Sequence, residues 1–147
     1  MNGLFSSLDI AASGMAVQRT RVSVATGNLA NAETTRTAAG GPYRRKVVMV
    51  EPTALEPRAA SFPETLASVD QPEGARAVAI VDDAAPARVV HDPSHPDADA
   101  NGNVAYPNVE PMTELIDLMM ASRAYEANAT AAETARGLIQ RTVELLR

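Results

Sequence analysis

The distribution of proline constrains the fold of this chain more than any other feature. All ten prolines lie between Pro42 and Pro111, so the first 41 and the last 36 residues contain none. Proline clashes with the preceding turn of a helix and removes a backbone donor, so long uninterrupted helices are favoured only at the two ends. The sequence therefore predicts a mainly α fold, with paired, coiled-coil-like terminal helices around a small β-rich or irregular insert.

An apolar repeat of seven residues supports a helix at each end. The N-terminal helix is predicted over residues 4–31, and its two rows are Leu8, Met15, Val22 and Leu29 in one, and Leu4, Ala11, Gln18, Ala25 and Ala32 in the other. The C-terminal rows are Leu118, Tyr125, Ala132, Ile139 and Leu146 in one, and Leu115, Ser122, Ala129 and Val143 in the other, with Arg136 as the exception.

A C-terminal helix that begins at Pro111, where proline suits the first helical turn, would be about 55 Å long at 1.5 Å per residue. That length is too great for a 70-residue insert to cover, so the two terminal helices are expected to pack on each other. We therefore predict a discontinuous helical assembly domain, residues 1–36 with 111–147, and a separate insert of residues 37–110.

The insert is predicted to contain short strands. Residues 43–50 are rich in β-branched side chains and are expected to form a strand that Pro52 ends. Residues 75–81 and 87–91 are the second and third candidate strands. Gly40, Gly41 and Pro42 predict a turn, residues 51–74 a loop, and residues 92–108 a succession of turns.

Composition excludes several classes of function. The net charge is −5 and the insert alone carries six basic and eleven acidic residues, so no basic surface for nucleic acid is expected. No cysteine is present, which excludes disulfides and thiolate sites. No uncharged apolar run approaches the length of a transmembrane segment, and Asp9 interrupts the apolar N-terminal residues, so no secretory signal peptide is expected.

Two short motifs, one near each end, resemble those of flagellar rod and hook proteins. The first spans residues 23–32, SVATGNLANA, and is centred on Asn-Leu-Ala-Asn; the second spans residues 121–128, ASRAYEAN. Residues 95–109 are similar to a junction found in the proximal rod proteins of that family. The three motifs occur in the family's order and at its distances from both ends. The short insert distinguishes the chain from distal rod and hook proteins.

The resemblance implies a structural, non-enzymatic subunit of the bacterial flagellar basal-body rod. Such proteins pass unfolded through the flagellar type III export apparatus and assemble in the periplasm, where their paired terminal helices line the shaft and the middle faces outward. The implied partners are other copies of the chain and other rod proteins, and no cofactor is implied.

Each terminal helix is accordingly predicted to carry an assembly seam. The N-terminal seam comprises Leu4, Leu8, Ala11, Met15, Val22, Asn28, Leu29 and Asn31, and the C-terminal seam comprises Leu115, Leu118, Ser122, Arg123, Tyr125, Glu126, Asn128, Ala132, Ile139 and Leu146. Asn28 and Asn31 have two interpretations, an end to the helix or a hydrogen bond between subunits. Arg123 and Glu126 could pair along their own helix or reach a neighbour.

Three alternatives remain open on the residues alone. The chain could be another proximal rod subunit, or a coiled-coil adaptor with the same helical hairpin. A metal-dependent hydrolase is the third, because a proline-rich segment holds several side chains of the metal-ligand type: His91, Asp92, His95, Asp97 and Asp99. The same residues beside proline are also common in turns, so the metal interpretation is the weaker one.

Overall fold

A computed structural model of the chain describes residues 2–54 and 73–145. Its elements, in chain order, are α1 (Asn2–Ala30), β1 (Lys46–Ala54), β2 (Glu73–Asp82), β3 (Arg88–His91), β4 (Asn103–Tyr106) and α2 (Pro111–Leu145). β1 pairs with β2 in one two-stranded sheet, and β3 pairs with β4 in another. The prediction of two long terminal helices around a small β insert is confirmed.

The ends of the two helices have local chemical causes. α2 begins at Pro111, which needs no donor there, and Glu114 in its first turn interacts favourably with the helix dipole. At the other end of the insert, α1 stops at Ala30. The side-chain amide of Asn31 donates to the carbonyl oxygen of Gly27 at 2.9 Å, and so satisfies one of the carbonyl groups left open at a helix C-terminus.

The strands differ from the sequence prediction in two places. Pro52 does not end the first strand, because β1 begins at Lys46 and continues to Ala54. In a two-stranded sheet each strand has an open edge, where a residue without an N–H is tolerated. The remaining loop predicted within 51–74 falls on residues 55–72, outside the described residues.

The second difference is β4, which lies within a segment predicted to contain only turns. β3 and β4 pair antiparallel, with Arg88 opposite Tyr106 and His91 opposite Asn103. The loop between them is closed by Asp99, whose carboxylate accepts the N–H groups of Asn101 and Asn103, each at 2.8 Å. Gly102 adopts a φ of 75°, which glycine tolerates readily. Turn residues thus surround a strand too short to show its own periodicity.

The chain divides into two compact units. Unit 1 comprises Met1–Thr20, Val50–Val78 and Ala121–Arg147, and unit 2 comprises Arg21–Met49 and Ala79–Met120. Each unit therefore contains parts of both helices and of the insert. The assignment of residues 1–36 with 111–147 as one helical domain stays a prediction.

Both units have cores of small side chains. In the described part of the chain, the buried apolar residues besides Pro107 are all alanine or valine: Ala11, Val17, Ala121 and Ala135 in unit 1, and Ala25, Val104 and Val109 in unit 2. The largest fully buried side chains include two polar ones, Glu114 and Asn28. Burial of an alanine recovers little free energy compared with a leucine or an aromatic residue, so neither core is strongly stabilising.

In unit 1, α1 and α2 approach closely at Gly14. A methyl group on Gly14 would lie 2.8 Å from Nδ2 of Asn128 and 3.0 Å from its Cγ. Nearby, the hydroxyl of Ser13 accepts the N–H of Ala75 at 3.1 Å and ties β2 to α1. Gly14 is therefore a packing residue, because only a hydrogen leaves room for the Asn128 amide.

Two glycines of α1 form a matched pair of test positions. Gly27→Ala is expected to stabilise the protein by up to about 1 kcal/mol, since beyond its own helix turn no described atom lies within 4 Å of the added methyl, and alanine favours the helix. Gly14→Ala gains the same helix propensity, but overpacking against Asn128 is expected to lower its free energy of unfolding by roughly 1–3 kcal/mol. Urea denaturation followed by circular dichroism measures both, and equal stabilisation by the two variants would contradict the close approach.

Candidate functional site

The side-chain amide of Asn28 is the centre of a polar cluster in unit 2. Asn28 is 1 % exposed and makes four hydrogen bonds. Its Nδ2 donates to the carbonyl oxygen of Lys46 at 2.9 Å and to Oε2 of Glu114 at 3.0 Å. Its Oδ1 accepts the N–H of Lys46 at 2.9 Å and the hydroxyl of Tyr43 at 3.0 Å. Two donors and two acceptors are the whole capacity of an amide, so none is left unpaired.

The bonds to Lys46 resemble a rung of a β-ladder. The amide meets both backbone groups of Lys46, the first residue of β1, as a neighbouring strand would. Because the Lys46 N–H requires an acceptor and the Glu114 carboxylate requires a donor, only one orientation of the amide satisfies all its partners. Asn28 thereby joins α1 to the start of β1 and to the first turn of α2.

Glu114 is a second buried polar group, 2 % exposed. Its Oε2 accepts from Asn28, and its Oε1 accepts from Nε of Arg45 in a short ion pair. Arg45 also lies 3.7 Å from Asp83 and 3.4 Å from Asp117. A buried carboxylate is tolerated only when it is paired and hydrogen-bonded, and Glu114 meets both conditions. We call Asn28, Tyr43, Arg45, Lys46 and Glu114 the Asn28 cluster.

The backbone around the cluster is held by a turn at its entry. Gly40 and Gly41 have φ values of 86° and 72°, so they turn the chain back after α1. The N–H of Tyr43 then donates to the carbonyl oxygen of Thr34 at 3.0 Å, and the N–H of Arg45 donates to Oδ1 of Asn108 at 3.1 Å. The turn predicted from Gly40 and Gly41 is confirmed, and it delivers Tyr43 to Asn28.

The titratable groups of the cluster respond to this environment. Burial raises the pKa of the Tyr43 hydroxyl, against the opposing effect of Lys46. Desolvation acts to lower the pKa of Arg45, but the hydrogen bond and charge of Glu114, with Asp117 and Asp83, raise it overall. The hydrogen bond from Lys46 to Asp82, 3.0 Å long, raises the lysine pKa. The cluster is therefore an ionic and hydrogen-bonded junction.

The two asparagines of the Asn-Leu-Ala-Asn motif have different roles. Asn31 ends α1, in agreement with one of the two interpretations. Asn28 instead bonds to distant parts of its own chain, which neither interpretation anticipated. Since all four positions of its amide are occupied within the chain, no hydrogen bond remains for a neighbouring subunit.

The residues of the predicted N-terminal seam lie on the inner side of α1. Ala11 is buried, and Leu8, Met15, Val22 and Leu29 are half-buried. The side chain of Leu4 is outside what the structure describes. Asn28 belongs to the same inner face. Whether this face forms an assembly seam stays a prediction.

The predicted C-terminal seam is split. Several of its residues are half-buried: Leu118, Ser122, Asn128, Ala132 and Ile139. The others that the structure describes are exposed: Leu115, Arg123, Tyr125 and Glu126. Leu146 lies outside the described residues.

The row buried within the chain contains Glu114, Ala121 and Ala135, each one residue before the predicted row of Leu115, Ser122 and Arg136. Burial of Glu114 accounts for this offset, because it rotates the helix so that Leu115 points outward.

Sequence reasoning missed Glu114, Arg45 and Tyr43 as members of the central cluster. Glu114 has a weak signal: it stands four residues before Leu118 and seven before Ala121, at a position of the buried row where an apolar residue is expected. Arg45 has no comparable signal. Nothing in the sequence pairs it with a residue 69 positions away.

The proposed metal ligands are engaged in turn bonds. Asp92 accepts from the hydroxyl and N–H of Ser94, and Asp97 accepts from the hydroxyl of Thr35 at 2.8 Å. His95 accepts the N–H of Asp97. Among the residues that the structure describes, no three His, Asp or Glu side chains converge as a metal site.

Over the same residues, neither helix combines the length and apolarity needed to cross a lipid bilayer.

Comparison with known proteins gives consistent matches over both ends and over the whole chain. A family model described as flagella basal body rod protein matches residues 8–36, and one described as flagellar basal body rod FlgEFG protein C-terminal matches residues 100–145. The flagellar basal-body rod protein FlgC of Borreliella burgdorferi is 37 % identical over 98 % of both chains. FlgC of Bacillus subtilis is 37 % identical over 96 % of this chain and 97 % of its own, and FlgC of Salmonella typhimurium is 34 % identical over 97 % of each.

The two asparagines provide a matched test of the cluster. Asn28→Ala leaves both backbone groups of Lys46 and Oε2 of Glu114 without a partner, at roughly 1–3 kcal/mol each, so a loss of about 3 kcal/mol or more is expected. Asn31→Ala removes the bond to Gly27 and a 3.3 Å bond from the Thr34 hydroxyl, both only part-buried, and should cost about 1–2 kcal/mol. Urea unfolding of the two variants measures the difference, and similar losses would contradict a central role for Asn28.

Tyr43 predicts a dependence on alkaline pH. Its raised pKa means that folding favours the neutral phenol, so this stabilisation is complete below the usual value of 10.0 and is lost as the pH rises above it. Tyr43→Phe is expected to lower stability by about 0.5–1.5 kcal/mol at neutral pH, from the lost hydrogen bond to Asn28. Above pH 10 the free energy of unfolding of the variant should fall less steeply than that of the parent chain. Lys46 contributes to the pH dependence of both chains, so it does not account for the difference. Thermal unfolding between pH 8 and 11 checks this, and parallel declines would refute it.

Proposed function

The chain belongs to the family of FlgC flagellar basal-body rod proteins, and from this premise we propose that it assembles into the rod through its two terminal helices. It is a structural component of the flagellar basal-body rod and not an enzyme. The mode of assembly, the neighbours and the route of export are proposals that rest on the contacts and exposed surfaces described above.

The first element of the proposal is that α1 and α2 pair antiparallel as a coiled-coil-like hairpin. One contact in each unit supports it: Gly14 with Asn128, and Asn28 with Glu114. From Gly14 to Asn28 is fourteen residues forward along α1, and from Asn128 to Glu114 is fourteen residues backward along α2. Fourteen residues are two heptads, and equal spacing on both helices is what a continuous seam with a repeat of seven requires.

The second element is that burial between molecules completes the fold. The described cores bury alanine and valine, whereas larger apolar side chains such as Phe5, Ile116 and Leu138 are exposed. Apolar surface recovers about 25 cal/mol per Å² when it leaves water, so helices with this distribution gain more from association than from their own packing. The predicted seam residues are proposed to take part in these contacts with other copies and with other rod proteins.

The third element is export in an unfolded state through the flagellar type III apparatus, followed by assembly in the part of the rod that crosses the periplasm. The small cores support this, because a monomer with a small free energy of unfolding is readily unfolded for export. Contacts between neighbours then provide the stability that the isolated chain lacks, in an open helical array whose subunits use different surfaces toward successive neighbours.

Removal of residues 2–30 tests the proposal. The truncated chain loses α1 and with it Asn28 and Gly14, so it is expected to restore neither swimming nor rod assembly in a strain that lacks this gene. Full-length chain carrying Gly27→Ala, where no described atom beyond its own helix turn lies within 4 Å of the added methyl, is the control and should restore both.

The measurement is the amount of the chain in purified basal bodies, compared with the amount in whole cells. Failure of the full-length chain to enter basal bodies would sink the proposed function. Entry of the truncated chain at the level of the full-length chain would contradict the role of α1 in rod assembly.

A further inference from the structure

The first three turns of α2 carry an exposed apolar face. Five large side chains spaced as one helical stripe have these exposed fractions: Met112 64 %, Leu115 40 %, Ile116 51 %, Met119 55 % and Met120 64 %. The spacings of three and four residues place all five on one side of the helix. We call these five residues the α2 stripe. It lies entirely within unit 2.

The stripe lies opposite the Asn28 cluster, so the usual arrangement of a surface helix is reversed. Glu114 would ordinarily face water, yet it points inward and is 2 % exposed, held by Asn28 and Arg45. Rotating the helix to bury Leu115 and Met119 would pull Glu114 away from both partners. The cluster therefore fixes the rotation of α2 and presents the stripe to the outside.

A contiguous face of this kind is larger than chance exposure explains. Single exposed apolar residues are ordinary, but five neighbours form a patch on the order of several hundred Å², the size that marks an interaction site. Three of the five are methionines, whose flexible, polarisable side chains adapt to an opposing surface.

We propose that the α2 stripe of one molecule docks on the outward face of α1 in a second copy of this chain. The inference rests on the proposed function, and it deepens that function by naming the two surfaces and their pairing. The receiving face contains Phe5, Ala12 and Ala16, which are exposed and share one side of α1 within unit 1.

The two faces complement each other in size, and both carry few charges. The stripe projects long side chains, whereas Ala12 and Ala16 are small and leave room for them, as a knob meets a hole between helices. Between Phe5 and Ala16 the only charged residue is Asp9, which is exposed on the same side of the helix, so docking must leave this one carboxylate at the hydrated rim of the contact. A solvated helix face would ordinarily carry several charges over that length.

The geometry of assembly follows from the use of two different surfaces. When the α2 stripe of one copy contacts α1 of the next, a row of molecules forms. One end of the row then has an unoccupied α2 stripe, and the other end has an unoccupied α1 face. Such a head-to-tail contact continues indefinitely as a helical array if it does not close into a ring.

Engineered cysteines test the pairing cleanly, because the chain contains none. Met119→Cys and Ala16→Cys are placed in the same chain, in a strain that lacks the native gene, and its basal bodies are oxidised. The expected product is a ladder of disulfide-linked multimers on a non-reducing gel. Either substitution alone should give no ladder. A control chain with Ala16→Cys and Ala100→Cys, the latter exposed in the β3–β4 loop, should also give none.

Two results would overturn the pairing. One is the absence of cross-linked product from assembled basal bodies. The other is a dimer formed by Met119→Cys alone, which would indicate two stripes in contact instead of a stripe on α1.

A charge substitution separates failure of this inference from failure of the proposed function. Met119→Asp should lower the amount of chain in basal bodies by at least about tenfold, while circular dichroism shows an unchanged helix content. Ala131→Asp, an exposed position on α2 outside the stripe, should enter normally. Equal entry of Met119→Asp and the parent chain refutes docking through the stripe but leaves the rod function standing. If the parent chain does not enter basal bodies, the rod function itself fails.

Discussion

The four hydrogen bonds of the Asn28 amide are the interaction on which unit 2 depends. They bring together the end of α1, the first residue of β1 and the first turn of α2, which are far apart in sequence. A buried amide tolerates few alternatives, because each of its donors and acceptors must find a partner in a defined direction. An apolar residue at position 28 could pack in several ways, whereas the amide specifies one.

That specificity matters because the cores themselves specify little. Alanine and valine bury small areas, so the cores contribute little free energy that favours one arrangement of the helices over another. The paired charges of Glu114 and Arg45 add a second directional contact, of the kind that fixes register more than it adds stability. The polar cluster orients α2, and the apolar residues that this orientation leaves outside are the ones we propose to contact neighbours. A subunit of a rod needs both a defined register and free apolar faces.

Sequence patterns predicted the elements that depend on local chemistry. The proline-free ends indicated both long helices, Pro111 indicated where α2 begins, and Gly40 with Gly41 indicated a turn. β3 was predicted, as residues 87–91, but β4 was not, because four residues between turns show no clear alternation. Within the site, Asn28 was recognised as important, while Glu114 and Arg45 were not. Their pairing spans 69 residues, and only the path of the insert brings them together.

What the sequence by itself determined is where helices can form, and the motifs at both ends identified the family. The reason is that proline and the heptad repeat act through neighbouring residues of the same element. Only the tertiary structure decided which side of each helix is covered. The rotation of α2 follows from one buried hydrogen bond between Asn28 and Glu114, and that contact depends on the whole chain between them. Periodicity predicted Leu115 on the inner face; the bonds to Asn28 and Arg45 select Glu114 instead and leave Leu115 outside.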